Sequence, residues 1–260
     1  QRSLTPTHTA LLTGFSEIVT FPPSPNLPAM AKPLRGTNNF YAANNSAILI
    51  LPDTSKHDFP VHRKMRLTPF AEYIPFVEQL PFLVKWLEWG VGISNWMKGT
   101  EQKPLPLTYT ISNQREGGEA RIGCIICIES IFPDFVRSYS LDGANMLVVI
   151  TNDAWYNHTF GPEQHYEIAA MRAIENRRSL ARCANTGISG FIRPSGEPYS
   201  IAPSYKSCGL AQSIELLDYK TIYTRYGDWL PMMSLGVSGV LIVLGLVWRR
   251  RKEKKQVVST

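Results

Sequence analysis

The run Arg121-Ile-Gly-Cys-Ile-Ile-Cys127, followed directly by Ile128, Glu129 and Ser130, decides the fold of this chain. Its apolar interior is typical of a strand that is buried on both faces. Such a strand brings the Cys127 thiol to the point where the chain turns and polar groups begin. Because reactive groups of α/β proteins tend to lie at the carboxyl ends of strands, we expect a reactive thiol here. The alternative is a buried, inert cysteine.

Other apolar runs alternate with helical patterns along the chain. Strands are predicted at 10–14, 46–51, 145–150, 187–192, 199–201 and 209–214. Helices are predicted at 132–140 and from Pro162 to about Cys183, and the Pro-, Asn- and Gly-rich stretch 22–45 is expected to be a loop. This order predicts an α/β domain whose sheet is buried on both faces.

The net charge of +6 over 260 residues does not indicate a nucleic-acid-binding surface. Six basic residues and one acidic residue at 249–255 account for +5 of it, so the rest of the chain is nearly neutral. A domain that binds nucleic acid usually carries its basic residues on the folded surface.

The four cysteines do not form a disulfide or metal framework. Cys124 and Cys127 have the Cys-x-x-Cys spacing of some redox and metal sites. Residues three apart on a strand point to opposite faces, and the sequence has no second Cys-x-x-Cys or Cys/His cluster. We therefore expect no metal at this pair.

Residues 229–248 are uncharged and long enough to cross a bilayer as a helix. Tryptophans at both ends suit the two membrane interfaces, and the basic cluster that follows is expected to stay in the cytoplasm. The residues before the helix are then expected outside the cytoplasm. Since the chain starts with Gln1 and shows no export signal, we expect it to be the C-terminal portion of a longer protein.

The segment 73–96 carries three tryptophans within its last eleven residues. It is interpreted either as an arm that dips into the membrane interface or as a helix pair packed on the core.

Four further motifs follow one another with regular spacing. They are Lys64…Pro69-Phe-Ala-Glu72-Tyr, Ile126-Cys127-Ile-Glu129, Asn152-Asp-Ala-Trp155, and Gly161-Pro-Glu-Gln-His165 with Met171-Arg-Ala-Ile-Glu175. On these motifs the chain resembles the nitrilase, or carbon–nitrogen hydrolase, superfamily, and within it the bacterial apolipoprotein N-acyltransferases. The resemblance extends from about residue 10 to the C-terminal apolar segment, including Tyr226-Gly-Asp-Trp229.

The resemblance implies a nitrilase-like αββα sandwich, truncated at its N-terminus and followed by one C-terminal transmembrane helix. The implied organisation is a partial catalytic domain outside the cytoplasm at 1–228, a transmembrane helix at 229–248 and a basic cytoplasmic tail at 249–260.

The resemblance also assigns roles to residues. The family uses a Glu–Lys–Cys triad, in which Cys127 matches the nucleophile and Lys64 the lysine that stabilises the oxyanion. Glu72 and Glu129 match acids that support the site, and Trp155 matches an aromatic residue beside the acyl pocket. The family's chemistry calls for no cofactor and no metal.

Two departures from the family pattern stand out. Ile128 replaces the tyrosine that commonly follows the nucleophile. The triad glutamate is not in this chain, because Glu17 is the only glutamate before Lys64 and lies on the wrong side of the Leu12-Thr-Gly14 run. We expect the triad glutamate upstream of Gln1, and the chain alone to be inactive.

The resemblance implies transfer of a fatty acyl chain from a phospholipid donor to the N-terminal amine of a diacylglyceryl-cysteine lipoprotein. It implies work at the outer (periplasmic) face of the bacterial inner membrane, with no nucleic-acid partner. One alternative is a membrane-anchored amidase of the nitrilase type, with water as acceptor. Another is a degenerate anchored domain that binds lipid or a partner.

Overall fold

The computed structural model describes residues 9–28, 31–52, 59–73, 96–110 and 117–258. The predicted Trp-rich arm at 73–96 therefore lies almost wholly outside the described residues.

Two mixed sheets form the described core. The first is built on an antiparallel pair, β1 (Leu11–Phe21) and β3 (Phe40–Ile50), whose register is continuous over the whole length of both strands. Three short strands also pair with β3: β2 (Lys32–Pro33), β4 (Val61–Arg63) and β5 (Trp96–Met97).

The second sheet has six strands in the order β11-β10-β9-β8-β7-β6. They are β6 (Leu105–Thr110), β7 (Gly117–Ile126), β8 (Met146–Asn152), β9 (Leu180–Asn185), β10 (Ser189–Ile192) and β11 (Pro198–Ala202). The three central strands β7, β8 and β9 are parallel, so their carboxyl ends meet at one edge of the sheet.

Helices connect the parallel strands and follow the second sheet. They are α1 (Pro133–Leu141), α2 (Gly161–Asn176), α3 (Ile222–Tyr226) and α4 (Trp229–Val258). A short 3₁₀ helix follows β7 at Cys127–Ile131, and another follows β8 at Asp153–Tyr156. Both lie at the sheet edge where the parallel strands end.

Side chains of the parallel strands alternate between two apolar layers. Ile125 and Leu147 pack against α1 and α2, whereas Cys124 and Ile126 pack against Leu49 of the first sheet. The strands are therefore buried on both faces, as their unbroken apolar runs predict. Among the described residues this gives a helix layer and two sheet layers.

Three predicted elements are wrong. The predicted loop 22–45 contains β2 and the first half of β3, because Phe40 and Tyr41 extend the pairing with β1. The helix predicted to reach about Cys183 ends at Asn176, where Arg177 adopts a left-handed conformation with φ 48°. Strand β9 follows it.

The predicted strand at 209–214 is also wrong, since no ladder partner joins this segment in the part of the chain that the structure describes. A hydrogen bond from the Tyr199 hydroxyl on β11 to the Ser213 carbonyl (3.2 Å) connects the segment to the sheet.

Helix α4 contains an apolar stretch, Trp229–Arg249, that is long enough to cross a membrane and is not buried within the protein. It is the one such helix among the described residues. The predicted apolar C-terminal helix is thereby confirmed as a helix of suitable length and composition.

Candidate active site

Cys127 is the first residue of the 3₁₀ helix that follows β7, one residue beyond the end of the strand. Its φ is 51°, in the left-handed region that non-glycine residues rarely adopt. Such a conformation costs roughly 1–3 kcal/mol and persists only where the surroundings impose it. The Cys127 side chain is half-buried, whereas Cys124 on the same strand is fully buried. The structure thus separates an inert core thiol from one at the strand end.

The Glu129 carboxylate holds the turn that carries Cys127. It is 0% exposed, and one oxygen accepts from the backbone N–H of Ile126 (2.8 Å) and lies 2.9 Å from His62 Nε2. The other oxygen accepts from the backbone N–H groups of Met65 (2.6 Å) and Arg66 (3.3 Å). A buried carboxylate is stable only when its lone pairs are filled in this way.

These bonds tie together the two segments that bear the candidate catalytic residues. Ile126 directly precedes Cys127, and Met65 directly follows Lys64. One carboxylate therefore fixes the backbone beside both residues. The position of Lys64 is also held by β-type bonds, because its N–H donates to the Asn45 carbonyl (2.8 Å).

His62 and Tyr139 lie behind Glu129, and the sequence motifs did not predict a role for either. His62 is 1% exposed, and its Nδ1 lies 3.1 Å from the hydroxyl of Tyr139 on α1. Burial raises the pKa of that hydroxyl well above its ordinary value, and the nearby Cys124 and Glu129 groups add to the effect. The signal that could indicate His62 is its place two residues before Lys64 on a short strand, where its side chain points into the core.

Lys64 is almost completely buried, with 1% exposure, and forms an ion pair with Glu72. Its Nζ donates to both oxygens of that carboxylate, at 2.8 and 2.7 Å. Glu72 also accepts from the Thr68 N–H (2.7 Å) and the Asn45 side chain (3.1 Å). Burial raises the pKa of Glu72, but the Lys64 charge and these hydrogen bonds outweigh it and hold the pKa below 4.5. The Glu72 carboxylate is therefore ionised at neutral pH.

Trp155 and Glu17 lie apart from the contacts of Glu129 and Lys64. Trp155 lies in the 3₁₀ helix after β8, at the same sheet edge as Cys127, with 83% of its surface exposed. Its place beside an acyl pocket stays a prediction. Glu17 lies on β1 and accepts from Arg63 Nε (2.7 Å) and from the Ser46 hydroxyl (2.9 Å). Its carboxylate is thus already engaged by residues other than Lys64.

Comparison with known proteins gives consistent matches. A model of the carbon–nitrogen hydrolase family matches residues 26–213. The apolipoprotein N-acyltransferase of Chlorobaculum tepidum is 38% identical over 244 residues, which are 94% of this chain and 44% of that protein. The apolipoprotein N-acyltransferase of Geobacter metallireducens is 34% identical over 80% of this chain and 36% of its own length. The chain thus spans less than half the length of these relatives.

Among solved structures, a carbon–nitrogen hydrolase from Helicobacter pylori G27 superposes with a TM-score of 0.46 and 16% sequence identity. The superposition covers 76% of this chain and 59% of that one.

Replacing Glu129 by glutamine is expected to lower the free energy of unfolding by about 2 kcal/mol, because the amide nitrogen would face backbone N–H donors and leave at least one of them unpaired. Urea unfolding in detergent measures this. Glu167→Gln, at an exposed position on α2, is the matched control and should change the free energy by less than about 0.5 kcal/mol. Equal free energies of unfolding for Glu129→Gln and Glu167→Gln would contradict the role of Glu129 in holding the two segments together.

The Glu72 carboxylate should make stability depend on pH in the acid range. Because its folded pKa lies below 4.5, its contribution is complete above that pH and is lost as the pH falls through the folded pKa. Glu72→Gln is therefore expected to melt at a lower temperature than the wild type at pH 7, with the difference in melting temperature shrinking as the pH is lowered into the acid range. A difference in melting temperature that stays the same from pH 7 into the acid range would argue against the ion pair.

Proposed function

Because the chain belongs to the carbon–nitrogen hydrolase family, we propose that the full protein transfers a fatty acyl chain from a phospholipid to an apolipoprotein. The acceptor is the free N-terminal amine of a diacylglyceryl-cysteine. The names of the relatives confirm the resemblance on which the motif analysis rests and support this activity. The observation that carries the proposal is the Glu129 carboxylate, which joins the strained Cys127 turn to the segment of the buried Lys64–Glu72 pair.

In the first half-reaction, the Cys127 thiolate attacks the ester carbonyl of the phospholipid. A carbon–sulfur bond forms, and the carbon–oxygen bond of the ester breaks. The leaving alkoxide takes the proton that the general base removed from the thiol, which gives a lysophospholipid and an acyl thioester. In the second half-reaction, the lipoprotein amine attacks this thioester. A carbon–nitrogen bond forms, the carbon–sulfur bond breaks, and the sulfur regains a proton that the amine loses.

Lys64 supplies the fixed positive charge that the tetrahedral oxyanion needs in both half-reactions. Its burial makes the charge effective, since water does not screen it. Glu72 holds the ammonium group in place by accepting from it through both carboxylate oxygens. This division assigns charge stabilisation to Lys64 and positioning to Glu72.

We assign the general base to a glutamate of the full-length protein outside this chain. Glu17 is a poor candidate, because Arg63 and Ser46 occupy its carboxylate. Activity of this chain alone would overturn the assignment.

The proposed site of action is the membrane. Helix α4 is taken to span the bilayer at 229–248, with the basic residues from 249 in the cytoplasm and residues 1–228 on the outer face of the bacterial inner membrane. A membrane span in the same chain as the candidate active site suits a reaction in which both substrates are lipids.

Incubation of the full-length protein with phospholipid is expected to add one fatty acyl group to Cys127, detectable by mass spectrometry of the intact protein and of its peptides. Cys127→Ala should abolish both the adduct and lipoprotein acylation, whereas Cys208→Ser, which removes an exposed thiol, should leave both unchanged. Acylation that persists in Cys127→Ala would refute the nucleophile. Release of free fatty acid, with no transfer to the lipoprotein amine, would indicate a hydrolase instead.

A further inference from the structure

A second cluster of buried ionisable groups contacts the Cys127 turn and has no part in the triad chemistry. Its members are Asp153, His165 and Arg182, which come from the 3₁₀ helix after β8, from α2 and from β9. The side chains of Asp153 and Arg182 are 0% exposed, and that of His165 is 2% exposed. Burying three such groups costs several kcal/mol unless they are paired, so their contacts need an explanation.

Asp153 is the centre of the cluster. One carboxylate oxygen accepts from the Thr151 hydroxyl (2.9 Å) and lies 3.0 Å from His165 Nδ1. The other accepts from Arg182 Nη2 at 2.7 Å. Burial raises the pKa of Asp153, but the His165 and Arg182 contacts outweigh it and hold the pKa below its ordinary value. The close approach requires Gly187, since a Cβ there would lie 2.1 Å from Asp153 Oδ2.

His165 connects the cluster to the backbone of the turn. Its Nε2 lies 3.2 Å from the Cys127 carbonyl oxygen and 2.9 Å from the Ser130 hydroxyl, which itself donates to the same carbonyl (3.0 Å). The Ser130 hydroxyl has one proton, which it donates to the Cys127 carbonyl. His165 adds a second bond to that carbonyl when its Nε2 carries a proton. Ser130 and His165 together fix the peptide that follows the left-handed Cys127.

Arg182 places a positive charge against the two groups that lie behind the turn. Its Nη2 donates to Asp153 Oδ2 and lies 3.2 Å from His165 Nδ1. Burial lowers its pKa, against the opposing charges of Asp153, Cys127 and Tyr156. Its Nε donates to the Ile188 carbonyl at 3.1 Å. Its Nη1 is buried and has no hydrogen-bond partner among the described residues. An unpaired guanidinium N–H is costly in an arginine that serves packing alone.

A second buried arginine provides the contrast. Arg178, 1% exposed, lies two residues before β9. It donates to the carbonyl oxygens of Ala144, Asn176, Arg177 and Tyr219. Its bonds all go to backbone carbonyls, which is the pattern of a residue that joins loops. Arg182 instead donates to the Asp153 carboxylate and lies against the His165 ring.

We propose that Asp153, His165 and Arg182 are positioning residues for Cys127: His165 and Ser130 hold its carbonyl in the left-handed turn, and Arg182 fixes Asp153 and His165 behind that turn with a buried positive charge. The proposal rests on the proposed role of Cys127 as nucleophile. It predicts that the cluster acts on thiol reactivity and on the chemical step, and not on the affinity for the phospholipid.

The test measures the rate at which iodoacetamide alkylates Cys127 in the full-length protein at pH 7.5, read by mass spectrometry of the Cys127 peptide. Arg182→Met is expected to slow alkylation about tenfold, because Asp153 and His165 lose the cation that fixes them behind the Cys127 turn. Arg182→Lys, which keeps the charge, should recover most of the rate. Arg178→Met is the matched control for loss of a buried arginine and should alkylate as fast as the wild type in the folded protein. In urea all four proteins should react equally.

In acyl transfer, His165→Leu is expected to lower kcat by at least tenfold with little change in KM for phospholipid, and His165→Gln, which can still bond the Cys127 carbonyl, to lose less. Equal alkylation rates for Arg182→Met and Arg178→Met would overturn the proposal. A rise in the KM of His165→Leu as large as its fall in kcat would also overturn it. If Arg182→Met does not fold, His165→Leu and His165→Gln test the proposal in both the alkylation and the acyl-transfer assay. Full activity of Cys127→Ala would instead refute the proposed function.

Discussion

The buried Glu129 carboxylate is the constraint on which the rest of the candidate site depends. One of its four contacts is to Ile126 on β7 of the second sheet. The other three are to His62 on β4 of the first sheet and to Met65 and Arg66 just after it. Removing a carboxylate from water is costly, and three backbone N–H donors and a histidine offset that cost only if both segments are in place. The arrangement of Cys127 relative to Lys64 follows from this one group.

Two buried ion pairs accompany that constraint. Lys64 with Glu72 forms one pair, and Arg182 with Asp153 forms the other. Each cation is held by a carboxylate and is therefore fixed, so in the proposed mechanism Lys64 need not reorganise when negative charge develops on the substrate oxygen. The strained φ of Cys127 is consistent with surroundings that impose the conformation.

The sequence predicted the elements whose signal is local. Continuous apolar runs indicated β7 and β8, and the uncharged segment from Trp229 indicated α4. Strand β9 was missed because Arg182 and Cys183 interrupt its apolar pattern, and the end of α2 was missed because Arg177 replaces the usual glycine. Two partners of Glu129, the Met65 and Arg66 N–H groups, could not be predicted, since backbone groups more than 60 residues away leave no pattern in the sequence.

The most direct test of the central claim is a double-mutant cycle on the rate of acyl-thioester formation at Cys127, measured by mass spectrometry in the wild type, Lys64→Met, Glu129→Gln and the double variant. If Glu129 acts by placing the Lys64 segment beside the thiol, Lys64→Met should slow the reaction about a hundredfold in the wild type but less than about threefold in the Glu129→Gln background. Losses that multiply independently would contradict this account.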